Sequence, residues 1–324
     1  MTTSMTTPGG AQVAPPATPP PPLRTVRRRK RTFREWGYVA PALAVYTTFV
    51  LLPIVLAAVF SFFNWTGLGP LDRFIGVENY VRALTDPAFL GALGNNIKIV
   101  VLSLIVQGPI AVAIALLLNR PLRGRTIIRT LIFVPYVLSE VIAGLAFRLM
   151  LPPGGPLDEM LTAFGWSGAK PQWLADPKIA FWTLFAVLTW KYIGLAILLM
   201  LAALQGIPDE LDEAGSLDGA SWWQIQRHIT LPLLSPTVRI WAFLSIIGSL
   251  QLFDMVWILT GGGPLDSTHT MATYMVQFGN TRSQIGYGSA VAVVLFVVSL
   301  IIALIYQRFV LRRDLEGSVT GGVR

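Results

Sequence analysis

The chain contains no cysteine and only two histidines, His228 and His269, which fall in different loops. The first absence excludes a disulfide framework, a thiolate metal site and a cysteine nucleophile. The second makes a histidine-based metal centre within one chain an improbable reading, so no metal ligand is assigned. Charge is scarce as well: 13% of the 324 residues are Asp, Glu, Lys or Arg, against roughly 25% in soluble domains. No G-x4-G-K-S/T phosphate loop is present, which excludes an ATPase role for the chain itself. No nucleophile–base pair and no paired carboxylates stand in a recognisable context, so the chain is not read as an enzyme and no catalytic residue is assigned. Internal repeats of the kind that mark many secondary transporters are also missing.

What the sequence has in excess is apolar surface. Hydrophobic residues make up 53% of it, and mean hydropathy is +0.60. Six apolar segments recur, at 38–62, 97–118, 127–150, 179–204, 238–260 and 288–309. Each is long enough to cross about 30 Å of hydrocarbon as a helix. Prolines at 41, 53, 109 and 135 lie inside them, where neighbouring helices can satisfy the freed carbonyls. The expected fold is all-α, a polytopic membrane protein with six transmembrane helices.

The net charge of +8 is clustered. Arg24, Arg27, Arg28, Arg29, Lys30, Arg31 and Arg34 precede the first segment; Arg120, Arg123, Arg125 and Arg129 fill the second short loop; Arg308, Arg312 and Arg313 follow the last segment. Six alternating spans put these three clusters on one side, so the positive-inside rule expects both termini in the cytoplasm. The same cluster suits anionic lipid headgroups. No aromatic-interleaved basic surface accompanies it, which argues against a nucleic-acid partner. Residues 1–35 are rich in Thr, Pro and Arg and are expected to form a disordered cytoplasmic tail. The first span is read as a retained anchor, because no small-residue cleavage site follows it. The expected organisation continues with a first helix and external loop over 36–92, a core over 93–310 and a cytoplasmic tail over 311–324.

The loop 205–237 departs from the charge pattern. It holds Arg227 as its single basic residue against five acids, so a folded role is expected of it. External stretches carry aromatics: Trp65, Phe74, Tyr80 and Phe89 in 64–94, Trp166 and Trp173 in 151–178. Interfacial anchoring with turns, or a docking surface for an external protein, both account for them.

Within 205–237, Pro208-Asp209-Glu210 makes a helix start, with proline tolerated in the first turn and acids matching the helix dipole. That helix is expected to run to about Leu217. Gly219 lets the chain turn. Ser221 caps a second short helix holding Trp222, Trp223 and Ile225, which Leu231-Pro232 is expected to end. Trp223 would face a partner while Ile225 and Ile229 pack inward. Helix spacing alone fits an ordinary amphipathic hairpin at the membrane surface equally well.

The spacing of the anchors adds more. Glu213-Ala214-Gly215, Gly219, Ile229 and Leu231-Pro232 resemble the cytoplasmic E-A-A-x3-G-x9-I-x-L-P loop of binding-protein-dependent ABC importer permeases. One anchor departs: Gly215 stands where the family usually has alanine, a change that lowers helix propensity by up to about 1 kcal/mol. Thr260-Gly261-Gly262-Gly263-Pro264 with Ser267-Thr268, Phe133-Val134-Pro135, Thr189-Trp190 and Gly206 to Pro208 resemble the carbohydrate branch, the maltose- and glycerol-phosphate-type permeases. The end soon after Gln307-Arg308-Phe309 looks more like the first permease of such a pair. The likeness covers about residues 36 to 312. It implies a type I ABC importer permease fold in a bacterial inner or plasma membrane and a core that is half of a translocation path. Glu213, Ala214, Gly215, Asp218, Gly219 and Ala220 would then contact an ATPase. The implied partners are a second permease subunit in a heterodimer, a dimer of ATP-binding subunits, an extracellular solute-binding protein and a sugar or oligosaccharide. ATP and Mg would sit on the partner ATPase and no cofactor on this chain.

Ionisable residues inside spans are costly and usually face a bundle interior or a water-filled path. Glu140, Lys191 and Asp254 qualify, and Arg148 sits nearer the outer end. Trp190, Lys191, Tyr192, Gln251, Asp254 and Trp257 combine hydrogen-bonding groups with aromatic faces, the pairing that sugar rings require. Gln251, Asp254 and Trp257 recur every third residue and are expected on one helical face, with Leu250 and Phe253 off it. Polar glue between packed helices explains the same residues. Glu140 and Lys191 are open to two readings, a structural ion pair or a lining of the path. The alternative to an ABC permease is a self-contained ion-coupled carrier using Glu140, Lys191 and Asp254 as its relay.

Overall fold

The computed structural model describes residues 34–120, 123–166, 168 and 170–311. Most of the N-terminal tail, its basic cluster up to Arg31, and the C-terminal Arg312 and Arg313 lie outside the described residues. Five described helices are long and apolar enough to cross a membrane: α1 (Tyr38–Phe60), α3 (Pro87–Asn119), α7 (Pro177–Leu204), α9 (Trp222–Leu250) and α12 (Ile285–Val310). Two shorter helices, α4 (Arg125–Val137) and α5 (Glu140–Met150), together have the length and apolarity of a sixth span, in the form of a broken span or a re-entrant loop. Short helices lie between: α2 (Glu78–Thr85), α6 (Pro156–Ala163), α8 (Asp209–Leu217), α10 (Asp254–Leu259) and α11 (Met271–Val276). Among the described residues the sole β feature is an isolated bridge between Phe63 and Phe74.

By packing, the chain divides after Leu52 into two units. The first holds a helix over Arg34–Tyr46 with Pro41 inside it, continued by a π-helical turn at Thr47–Leu51. The second unit is built around α7, whose 28 residues are apolar on every side, as expected of a central buried helix. Leu184, Val187 and Leu188 of α7 pack with Met255, Val256 and Leu259 of α10. Further along, Ala196, Ile197 and Met200 meet Ala111 and Ala115 of α3 and Leu234 and Trp241 of α9. A third cluster joins Phe89 and Ala92 of α3 to Ile246, Leu250, Tyr274, Tyr287 and Val291. Gly194 is what brings α4 against α7, since a Cβ there would stand 2.4 Å from the Ile132 carbonyl oxygen. Small residues permitting close backbone approach are the usual device where lipid supplies no hydrophobic drive between helices.

Three sequence expectations change. The apolar segment 127–150 is not one helix: α4 and α5 meet at a 95° bend. Leu138 and Ser139 both adopt extended ψ values near 140°, and α5 restarts with an acid, Glu140, in its first turn. The carbonyls stranded at the end of α4 are taken by Lys191, whose Nζ donates to Pro135 O at 3.0 Å, Tyr136 O at 2.7 Å and Leu138 O at 2.5 Å. The run stays apolar from Leu131 through Leu138, and Pro135 and the Ser139-Glu140 pair are the local marks of the break.

The segment 238–260 is not one helix either. α9 ends at Leu250, and α10 begins at Asp254. Asn96 Nδ2 donates to the bare carbonyls of Ser249 (2.6 Å) and Leu250 (3.2 Å), while its Oδ1 accepts from Met271 N at 2.8 Å. Thr270 Oγ1 donates to Leu252 O at 2.7 Å. The break is thus stabilised from outside, by α3 and by the segment before α11. Finally, Leu231-Pro232 does not end the second helix of the 205–237 loop. The helix runs on from Trp222 to Leu250, and a π-helical turn at Gln226–Thr230 precedes Pro232. Proline cannot donate to the preceding turn, and a widened turn is a common way for a helix to absorb such an interruption.

Candidate functional site

The two breaks meet in space. A cavity of about 340 Å³ lies between α3, α7, α9 and the elbow and loop that the breaks create. Its polar lining comes from Ser103 and Gln107 of α3, Glu140 at the start of α5, Ser245 and Ser249 of α9, and Gln251 and Asp254 on either side of the second break. Its aromatic walls are Tyr136, Tyr192, Trp241 and Phe253. Concave sites with an apolar wall and a few convergent polar groups are the usual form of a small-molecule site.

Two of these polar groups, Glu140 and Gln107, are positioned by a neighbour. Tyr192 OH donates to Glu140 Oε1 at 2.5 Å. Gln107 Nε2 donates to Thr189 Oγ1 at 3.0 Å, so the Thr189-Trp190 pair contributes through its threonine. Gln107 closes a π-helical turn, Ser103–Gln107. A turn of this type shifts side-chain direction within a span and recurs at functional sites.

Of the six residues expected on the path, the cavity wall holds Tyr192, Gln251 and Asp254. Gln251 lies outside any helix, so its register with Asp254 comes from the loop rather than from a shared helical face, and Trp257 shares a face with Asp254 alone. Trp257 stands one layer back, stacked on Phe253 at 5.6 Å between centroids. Phe253, expected off the stripe, is itself part of the wall, whereas Leu250 is buried in the third cluster. Trp190 packs edge-on against Phe147 at 5.0 Å. Lys191 is 3% exposed and spends its ammonium on the three α4 carbonyls. No ion pair joins it to Glu140 among the described residues. Arg148 likewise donates to a backbone oxygen, that of Ile258, at 3.3 Å.

Sequence reasoning passed over Ser103, Gln107, Trp241, Ser245 and Ser249. A signal existed: Ser103 and Gln107, and Ser245 and Ser249, are polar pairs four residues apart in otherwise apolar spans, and such pairs share a helical face.

The second feature is the hairpin of α8 and the start of α9. Ala220 N donates to Gly215 O at 3.0 Å and Gly219 N to Ser216 O at 3.1 Å, the two bonds of a Schellman helix end. Gly219 carries the left-handed φ of +82° that this end demands. Gly215 thus supplies the accepting carbonyl of the outer bond and Gly219 the left-handed residue that follows the helix. Ser221 and Gln224 then form a capping box for α9. Ile225 is buried and Ile229 half-buried, and a Cβ on Gly215 would come within 3.2 Å of Ile225 Cγ1 and 3.3 Å of Ile229 Cδ1. Glycine in place of alanine thus lets α8 lie closer to α9. Glu213, Ala214, Asp218 and Gly219 are exposed, and Ala220 is half-buried. Trp223 is 60% exposed and Leu217, which the motif does not mark, is 89% exposed. The guanidinium of Arg120 sits 4.3 Å over the Trp222 ring, tying the hairpin to the end of α3.

The Gly261–Thr270 segment is held by its own polar groups. Thr268 Oγ1 donates to Gly263 O at 2.7 Å, and Asn95 Nδ2 donates to the carbonyls of Ser267 and His269. The glycine-rich motif and the asparagine pair of α3 therefore act together to shape the second break.

Broken apolar spans around a polar cavity, with an exposed helical hairpin between two of them, define a membrane-embedded permease subunit. The chain belongs to the family of binding-protein-dependent transport system inner membrane components, whose model matches residues 107–314. It is similar to the lactose transport system permease protein LacF of Rhizobium radiobacter, 33% identical over 294 residues that cover 90% of this chain and 98% of the relative. A probable ABC transporter permease protein of Pyrococcus horikoshii is 32% identical over 271 residues, 83% of this chain and 92% of the relative. Among solved structures, a bacterial ABC transporter involved in the import of the acidic polysaccharide alginate shares the fold with a TM-score of 0.75 at 24% identity, over 86% of this chain and 96% of that one. Members of the family are multi-pass pore subunits and not enzymes. Membership sets aside the ion-coupled carrier, and Lys191, committed to backbone carbonyls, is not placed to relay protons between Glu140 and Asp254.

Proposed function

We propose that this chain is one of two membrane subunits of an ATP-driven saccharide importer and forms half of its translocation path. The observation that carries the reading is the cavity: hydrogen-bonding side chains (Gln107, Glu140, Gln251, Asp254) opposed by aromatic faces (Tyr192, Trp241, Phe253) inside the span region. Planar acceptors and donors take sugar hydroxyls, and ring faces cover the apolar side of a pyranose. Relatives named for lactose, for trehalose and maltose and for arabinooligosaccharides support the substrate class.

The partners follow from the same reading. A second permease completes the pore as a heterodimer, an extracellular solute-binding protein delivers the saccharide, and a dimer of ATP-binding subunits holds ATP and Mg. Glu213, Ala214, Gly215, Asp218, Gly219 and Ala220 dock on the ATPase, helped by the exposed Leu217 and Trp223. ATP closes the ATPase dimer, the hairpins move together and the path reopens outward; hydrolysis resets it. Both termini and the hairpin lie in the cytoplasm.

The test is uptake of labelled oligosaccharide by the reconstituted complex. A Gln251→Ala, Asp254→Ala double variant should assemble and dock its binding protein yet lose transport, because each lost hydrogen bond to substrate costs about 1–3 kcal/mol. Transport at the parental rate would mean that these residues are packing glue and that the route runs elsewhere.

A further inference from the structure

Among the residues lining the cavity, the charged side chains are Glu140 and Asp254, both carboxylates. Among the described residues no lysine or arginine lines the wall. Lys191 is the cation nearest in sequence, adjacent to the lining residue Tyr192, but it does not itself line the cavity: its ammonium sits behind the Tyr136 and Tyr192 rings, bonded to Pro135, Tyr136 and Leu138 oxygens. The guanidinium of Arg148 is bonded to Ile258 O, and Lys98 lies over the Phe181 ring, 5.4 Å from its centroid. The local cations are thus engaged elsewhere, whereas the two anions face the space a substrate would occupy. Glu140 takes a proton donor from within the chain, Tyr192 OH, and keeps a second oxygen for another. Asp254 opens α10 and is exposed to the cavity.

Resting on the saccharide reading above, we infer that Glu140 and Asp254 set the charge specificity of the path: it passes neutral or amino-bearing saccharides and rejects those carrying carboxylate, sulfonate or phosphate groups. A carboxylate is acceptor-only and binds vicinal sugar hydroxyls or an ammonium group directly. An anionic sugar brings a like charge against two carboxylates, and no cationic side chain among the lining residues offsets it. The alginate importer that shares the fold acts on an acidic polysaccharide; this cavity is of the opposite polarity to what such a substrate needs. The specificity is therefore written in side chains rather than in the fold.

The experiment bypasses the binding protein, which imposes its own selection. Purified permease–ATPase complex in nanodiscs is titrated with a glucose trisaccharide, a glucosamine trisaccharide and a glucuronate-bearing trisaccharide, with binding read by saturation-transfer NMR. Wild type should bind the first two and hold the glucuronate compound at least about tenfold more weakly, a ratio equal to 1.4 kcal/mol. Glu140→Gln with Asp254→Asn removes both charges without changing shape and should raise the glucuronate-to-glucose affinity ratio at least about tenfold; the Asp254→Asn single variant should raise it in part. Wild type binding the glucuronate compound as tightly as glucose overturns the inference. An unchanged ratio in the double variant also overturns it. Failure of every saccharide to bind, whatever its charge, overturns the saccharide reading itself and this inference with it.

Discussion

Replacing Lys191 by methionine isolates what holds the elbow between α4 and α5. The methionine chain is close in length and apolar, so the change removes three charged hydrogen bonds to Pro135, Tyr136 and Leu138 oxygens and leaves those carbonyls without a donor in a buried site. Side-chain hydrogen bonds within membrane proteins average about 0.6 kcal/mol and reach about 1.7. Three of them give roughly 2–5 kcal/mol, partly offset by relief from burying an ammonium. For a protein of this size that corresponds to a fall of roughly 5–15 °C in the unfolding midpoint. The second readout is local. Because the chain has no native cysteine, a Ser139→Cys reporter is the sole thiol, and maleimide should label it faster once Lys191 no longer clamps the elbow. An unchanged midpoint together with unchanged labelling would refute the clamp and leave the bend to be explained by the backbone of Leu138 and Ser139 alone.

Gly219→Pro should leave the complex in the membrane but abolish substrate-stimulated ATP hydrolysis, because it removes the N–H that bonds Ser216 O and imposes a negative φ where +82° is required; normal coupled hydrolysis would disprove the assignment of the hairpin. Glu213→Ala, which leaves the backbone intact, should weaken coupling while crosslinking still finds the ATPase beside Trp223. The α6 segment should loosen in acid. Asp158 accepts from Trp173 Nε1 at 3.0 Å and Gly154 N at 2.8 Å, and the indole bond first, then the amide, hold its carboxyl below the usual range. Stability from these bonds is complete above about pH 4 and falls as the pH drops further, which protease sensitivity of 151–178 will register, with no such pH dependence in Asp158→Asn. Reporter fusions should place Arg125 and Arg313 in the cytoplasm; an external signal at either site would reverse the topology.

The helical fold and its apolar spans were legible because a 20-residue apolar run has few other uses. The hairpin was legible too: Pro208 followed by acids marks a helix start, Gly219 offers the left-handed residue that ends the helix, and Ser221 caps the next. The breaks were not. Leu138 is as apolar as its neighbours, and what stabilises the bend is Lys191, more than fifty residues away in the chain. The end of α9 at Leu250 depends in the same way on Asn96 and Thr270. Since Gln251 and Phe253 take their positions from that break, helical arithmetic applied through it misplaced Phe253 and overextended the stripe to Trp257. Lys191 illustrates the general difficulty: a charge in a span was read as facing the path or an acid, whereas backbone carbonyls freed by a kink compete for it and leave no trace in the local sequence.

The unbroken run of α9 from Trp222 to Leu250 has a mechanical consequence. Its 29 residues, at about 1.5 Å each, make a strut of roughly 43 Å. One end carries the exposed tryptophans of the hairpin, and the other carries Trp241, Ser245 and Ser249 of the cavity wall. No loop lies between to take up slack, and the widened turn at Gln226–Thr230 sits close to the hairpin end. A tilt of about one degree about a point midway along it moves each end by roughly 0.4 Å in opposite directions. A push delivered at Trp222 therefore arrives at the wall as movement of the serines, with the leverage set by where along the rod α7 bears on it.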